Sequence, residues 1–354
     1  MTAAVPEYRA ADPSDATAVD NVRRWDGAST GHYEVWYVTL NHRESSTGYW
    51  IRYTMEAPVH GHGAPYAQLW FACFDRNAPS RTFAINQIHP IGQMVAHAAP
   101  FSVRIGDAEI THRGARGAIK GGGHDVSWDL RWLPSLQTHR QLPSVMYKRG
   151  GVGDTTVLTP NIDVPIRGTI TVDGTTHELA GDPGGQTHLW GRKHAHSWAW
   201  GHCNAFEGRR GAALEALTVR LKKRGRVLPP LTIFALYLDG EVYRWNELRH
   251  TLLARGDYST GRYAFRGRRG RVRVEGEYTC RPEDMVVAQY ADPDGEPSWC
   301  ANTEVADLRV TVWKRAGVFG RWREHARLVA AGTGHFEVGG RTRDPAVEKD
   351  HVTV

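Results

Sequence analysis

The chain of 354 residues is long enough for two domains at roughly 150 residues each, and its 41% hydrophobic content supplies real cores. With 38 glycines, 18 prolines, 13 Trp, 13 Tyr and 9 Phe it reads as a turn-rich, aromatic-rich globular protein, and a net charge of +6, concentrated after residue 205, is too modest to single out a polyanion as its partner. No apolar run approaches the roughly 18 residues of a membrane-spanning helix, and the opening MTAAVPEYRAADPSDATAVD lacks the basic and apolar stretches of a secretion signal, so a cytoplasmic location is expected.

Residues 1–24 are polar and rich in Ala and Asp, without apolar periodicity, and are expected to form a poorly ordered arm. From Trp25 onward the texture changes. Tyr33–Asn41, Gly48–Glu56, Ala67–Asp75 and Thr82–His89 are rich in aromatic and β-branched residues and bounded by turn formers, the pattern of antiparallel strands. Shorter strands follow at Phe101–Ile105, Ile110–Thr111, Ala118–Ile119 and Val126–Trp132, then a Pro-punctuated stretch over Leu133–Pro165. Ile166–Asp173 and Thr175–Leu179 flank Asp173-Gly174, a type I′ hairpin signal. Later strands are expected at Ala213–Leu221, Leu231–Leu238, Glu241–Trp245, Arg262–Phe265, Arg271–Cys280 and Val305–Lys314, with a helix only at Phe319–Ala331. With no βαβ alternation, the expectation is an all-β protein with few helices, built from two barrels or sandwiches over residues 25–186 and 187–345.

Cys73, Cys203, Cys280 and Cys300 are widely spaced, match no zinc or disulfide pattern, and are expected to be reduced and buried. Gly121-Gly122-Gly123 belongs to no phosphate-binding loop, so no nucleotide cofactor is expected. Basic runs such as Arg220–Arg226 and Arg262–Arg273 match no RNA-binding signature. They read as solvated strand edges, with peripheral contact with an anionic membrane as a secondary role and no nucleic acid as partner.

The most informative stretch is GRKHAHSWAWGHCNAFEG, from Gly191 to Gly208. If extended, it places His194, His196, Trp198, Trp200, His202, Asn204 and Phe206 on one face and mostly small residues on the other. A row of rings and amides is poor material for a dry core, because each N–H needs a partner. It suits a cavity wall on which a ligand could stack, with His202 and Asn204 orienting a polar group or water. So long a strand is expected to bulge near Gly201. The H-x-H pair His194 and His196 could offer two imidazoles to zinc, as in a hydrolase or lyase, but no carboxylate follows before Glu207 and no metal is expected.

WAWGHCNAF at Trp198–Phe206 resembles the W-x-W-x-x-x-N-x-F stretch of tocopherol cyclases, carotenoid 1,2-hydratase (hydroxyneurosporene synthase) and AttH-like proteins. HYEVWYVTL at His32–Leu40, VSWDLRWLP at Val126–Pro134 and SWCANTEVADLRV at Ser298–Val310 agree with it. The resemblance implies two tandem lipocalin-like β-barrels with a hydrophobic pocket in or between them. It also implies chemistry on isoprenoids or polyenes: hydration, cyclisation or a guided pericyclic closure. Where bacterial hydratase-like members carry E-K-x-W-G, this chain has Arg192-Lys193-His194-Ala195-His196, so the resemblance transfers no acid onto that position.

Adding a proton to an alkene needs an acid, aromatic faces to stabilise a carbocation, and a dry cavity. The expected catalytic groups are Glu34, on a strand face with Trp36, Asp125, near Trp128, and His202. The expected substrate-binding residues are Trp36, Trp128, His194, His196, Trp198, Trp200, Asn204 and Asn302, the last beside Cys300 and Glu304. The leading reading is acid-assisted hydration, cyclisation or isomerisation of a hydrophobic isoprenoid- or polyketide-like small molecule. The alternative is a non-catalytic carrier of such a ligand.

Overall fold

The computed structural model describes residues 15–147, 154–317 and 319–354. Two large sheets account for nearly all of it. The first holds β1 (His32–His42), β2 (Thr47–Ala57), β3 (Tyr66–Asp75), β4 (Phe83–Pro90), β5 (Met94–Ala98), β6 (Phe101–Ile105), β7 (Ala108–Thr111), β8 (Gly114–Gly121), β9 (His124–Arg131), β10 (His139–Arg140), β11 (Thr155–Val172) and β12 (Thr175–Gly191). The second holds β13 (Ser197–Cys203) and β14 (Ala213–Arg220), then, beyond the small β15 (Lys222–Lys223) and β16 (Arg226–Val227) hairpin, β17 (Leu231–Leu238), β18 (Glu241–Trp245), β19 (Ala254–Ser259), β20 (Arg262–Arg269), β21 (Val272–Thr279), β22 (Val286–Ala291), β23 (Pro297–Lys314) and β24 (Arg323–Gly340). β25 (Val352–Thr353) returns to pair in parallel with β4.

The expected all-β class is observed: antiparallel meanders, one curled into a nearly closed barrel, with only short 3-10 turns between strands. The expected division at residue 186 falls inside β12, because Gln186–Gly191 still pair with β1. The chain crosses between sheets over residues 192–196. Among the described residues no helix is long and apolar enough to cross a membrane.

Each sheet wraps its own core, and a third apolar cluster joins them. On β1, Trp36, Val38 and Leu40 enter the first core, while Tyr33, Val35 and Tyr37 face the second sheet. With both faces covered, the strand is buried throughout, and so is β2. By contrast, β9 has one wet face and alternates buried Val126, Trp128 and Leu130 with exposed Asp125, Ser127 and Asp129.

Three expectations change. The stretch expected to be helical belongs to β24, where the Ala, Leu and Arg of high helix propensity are overruled by pairing with β23, and Ala326, Leu328 and Ala330 alternate inward. The Pro-punctuated stretch contains the start of β11, whose prolines sit among register shifts at Leu158/Asn161 and Asn161/Val164, where a ladder N–H is dispensable. Of the expected arm, residues 1–14 lie outside the described residues, whereas Ala18–Asn21 form a 3-10 turn against the first sheet. Asn21 is fully buried, its amide donates to Gln186 Oε1 at 2.9 Å, and its carbonyl accepts the Trp36 indole N–H at 2.8 Å. The polar composition there satisfies buried partners. The Asp173-Gly174 hairpin forms as expected, with φ of 50° and 80° and Val172 opposite Thr175.

Candidate functional site

A cavity of about 480 Å³ lies between the two sheets. Tyr33 and Tyr37 of β1 and Trp50 of β2 form one wall; Trp198 and Trp200 of β13, with Leu217 and Val219 of β14, form the other. Its lining is mostly apolar, the composition of a small-molecule site, and its charged members include Arg52 of β2 and Glu337 of β24 beside Asp154, Lys193, Lys222, Glu296 and Arg341. β13 is shorter than expected and carries no bulge, since its pairings with β14 and β24 run in unbroken register. Trp198 and Trp200 therefore face the cavity, while Ala199 and Cys203 enter the second core. Gly201 faces Tyr278, and a Cβ there would meet that ring at 2.4 Å, so glycine sets the close approach of β13 to the core beneath it.

Of the carboxyl groups in this lining, Asp154 pairs with Lys223 and Glu296 with Lys193, whereas Glu337 is held by an indole. The Trp198 indole N–H donates to its Oε1 at 2.8 Å, and the Cys300 thiol also donates to it. Trp198 and Cys300 both lie opposite Gly339, on its two sides, and reach diagonally to Glu337 across that glycine. Burial raises the Glu337 carboxyl above its ordinary 4.5, outweighing the Trp198 and Cys300 hydrogen bonds and the more remote Arg52 charge, all of which favour the ion. Glu337 still retains partial exposure on the cavity side of its strand. Such a group holds its proton to higher pH than an exposed glutamate and can present it to an apolar guest.

Of the residues expected to bind substrate, His194, His196, Trp198 and Trp200 line the cavity. His194 precedes β13 and is held by Asp292, whose Oδ1 accepts from its backbone N–H at 2.8 Å and its Nδ1 at 2.6 Å. It also stacks on Tyr33 with centroids 4.6 Å apart. Burial lowers its pKa, and the Asp292 carboxylate opposes that only in part. The ring is thus a neutral wall element with Nδ1 protonated. Arg341 closes the other side of Asp292 at 2.6 Å. His194 and His196 do not converge with a third ligand. Among the described residues the close group of ligating side chains is Asp292, Asp294 and Glu296, already engaged by Lys193 and Arg341.

Other expectations are corrected. Trp36 and Trp128 are buried in the first core, Trp128 donating to Tyr53 Oη at 3.2 Å, on the far side of the strands that wall the cavity. Glu34 faces that same interior. It accepts from the backbone N–H groups of Arg24 at 2.6 Å and Trp25 at 2.9 Å, from His188 Nε2 at 2.8 Å, and from His32 Nε2 at 3.3 Å. Burial alone would raise its pKa, but the His188 and His32 hydrogen bonds and charges hold it down at about 2. Glu34 is a locked carboxylate and cannot donate a proton. Asp125 is 61% exposed and pairs with Lys120 at 2.7 Å on the wet edge of β9, so it meets no apolar guest. His202 lies behind Trp200, with Nδ1 3.0 Å from Glu215 Oε1, and the other Glu215 oxygen accepts the Trp200 indole N–H at 2.9 Å. Asn204 donates to the Gly184 carbonyl, and Asn302 is buried beside Glu304; His202, Asn204 and Asn302 all lie off the cavity wall. Glu337, Arg52 and Tyr290 were missed. Glu337 sits in HFEVGG, a carboxylate between Phe and Val, which marks a buried acid only once that stretch is read as a strand.

Comparisons with known proteins agree with the geometry. A sequence model of the tocopherol cyclase-like family matches residues 160–340. The uncharacterized proteins Rv0493c and MT0513 of two Mycobacterium tuberculosis strains are each 31% identical to this chain, over 95% of it and 97% of their own length. Among solved structures, an AttH protein of Nitrosomonas europaea superposes with a TM-score of 0.56 at 17% identity, over 97% of this chain and 100% of its own. Kievitone hydratase of Nectria haematococca superposes with a TM-score of 0.51 at 10% identity, over 88% and 90%. These likenesses establish the two-sheet fold, and with the family match over β11 to β24 the chain belongs to the tocopherol cyclase-like family.

Proposed function

We propose that this protein binds a hydrophobic, isoprenoid- or polyketide-like molecule in the intersheet cavity and catalyses its acid-assisted hydration, cyclisation or isomerisation. The observation that carries the reading is the Glu337 carboxyl, its pKa raised by burial, in a cavity walled by Trp50, Trp198 and Trp200. The Glu337 O–H proton passes to one alkene carbon, the π pair forms the new C–H bond, and a carbocation remains on the other carbon. Indole faces stabilise that cation without forming a bond to it. The Trp198 N–H steadies the carboxylate left behind. Addition of water or an internal nucleophile then returns a proton to Glu337, or loss of a neighbouring C–H proton completes an isomerisation. The family's name and the hydratase activity in the name of one structural neighbour support this class of chemistry.

The test is incubation of polyene and prenyl-phenol candidates with the protein in D2O, followed by mass spectrometry. The expected result is a product carrying solvent deuterium on carbon, formed at least about a hundredfold more slowly by Glu337→Gln. Recovery of ligand unchanged would mark a carrier, and equal rates for both proteins would remove Glu337 from the chemistry.

A further inference from the structure

Arg52 is a buried charged group in the mostly apolar lining of the cavity. Alternation along β2 sends Ile51, Tyr53 and Met55 into the first core and Trp50 and Arg52 toward the cavity. The Arg52 side chain is 6% exposed. Its guanidinium carbon sits 4.3 Å from the Tyr290 ring centroid and 5.5 Å from that of Trp50. Nε donates to Thr54 Oγ1 at 3.1 Å, a bond that fixes the plane of the fork. Among the described residues no carboxylate lies within ion-pair distance of it. The nearby acids are engaged elsewhere: Asp292 by His194 and Arg341, Glu56 by the Tyr66 hydroxyl at 2.8 Å, and Glu337 by Trp198.

A buried guanidinium with no counter-ion is costly, and the cost is recovered when an anion arrives. With its guanidinium over the Tyr290 and Trp50 rings and its side chain in the cavity lining, the fork matches a group with two acceptor oxygens. We infer that Arg52 is a substrate-binding residue, and that the cavity's substrate is an apolar molecule ending in an acidic oxygen group of the carboxylate or enolised 1,3-dicarbonyl class. This rests on the proposed function and narrows its substrate. The same anion would neutralise the cation that favours ionised Glu337, so a filled cavity moves that acid further toward its protonated form.

The test is titration of the full chain, by quenching of tryptophan fluorescence, with retinoic acid and with methyl retinoate, which share a polyene and differ in charge. Wild type should bind the acid about tenfold or more tightly than the ester. Arg52→Gln should lose that preference while holding the ester within about twofold, and Arg52→Lys, which keeps the charge but not the fork, should fall between. Thermal melts of both variants confirm the fold. Equal affinity of wild type for acid and ester, or equal weakening of both by Arg52→Gln, would overturn the anion inference and leave the apolar cavity standing. Failure of wild type to bind either probe would overturn both readings.

Discussion

The indole N–H of Trp198 meets Glu337 Oε1 at 2.8 Å across the β13–β24 ladder, passing over the bare backbone of Gly339. This bond stabilises the ionised carboxyl and so opposes the burial that keeps it protonated. Trp198→Phe removes the donor and leaves the ring. The Glu337 pKa should rise, and the alkaline limb of a pH–rate profile should move up with it. An unmoved limb would mean that the limb belongs to another group.

Gly339 makes that contact sterically possible. A Cβ there would meet the Trp198 ring at 2.0 Å, and a rigid indole has little room to give. Gly339→Ala should cost about 1–3 kcal/mol of stability. It should also shift the tryptophan emission by displacing Trp198, as denaturant titration and fluorescence would show.

Glu34 is held for the opposite purpose. Its carboxylate accepts from His188 Nε2 and satisfies two backbone donors inside the first sheet, so Glu34→Gln should cost about 3–5 kcal/mol at neutral pH. Its folded pKa of about 2 lies below the ordinary 4.5. The stabilisation is therefore fully present above the higher value and fades as pH falls toward the lower one. Urea melts of wild type and variant should differ most near neutrality and converge as the pH approaches 2.

Asp125 provides the contrast. Its contact with Lys120 is solvent-exposed, and such pairs contribute little. Asp125→Asn should leave stability within about 0.5 kcal/mol of wild type and leave turnover unchanged. A large loss of rate would contradict its placement outside the site.

The fold class was legible because alternation and turn residues act locally: β1, β2, β3 and the Asp173-Gly174 hairpin follow from their own sequence. The wall formed by Trp198 and Trp200 was legible for the same reason, as a strand with rings on one face and small residues on the other. Which side of a doubly buried strand faces the ligand was not legible. On β1 both faces are apolar, and only the packing of the second sheet makes Tyr33 and Tyr37, rather than Glu34 and Trp36, the cavity side. Glu337 and Arg52 reach one cavity from strands almost 300 residues apart in different sheets, a juxtaposition created by the packing of one sheet on the other.

The account turns on a carboxyl group whose pKa is raised by burial in the intersheet cavity. The most direct measurement is the carboxyl carbon resonance of Glu337 in protein labelled with carbon-13 glutamate, assigned by its loss in Glu337→Gln and followed from about pH 3 to about pH 9. The account predicts a titration midpoint above the ordinary 4.5. A midpoint at or below that value would show a carboxylate already ionised at neutral pH, and would contradict the proposed chemistry.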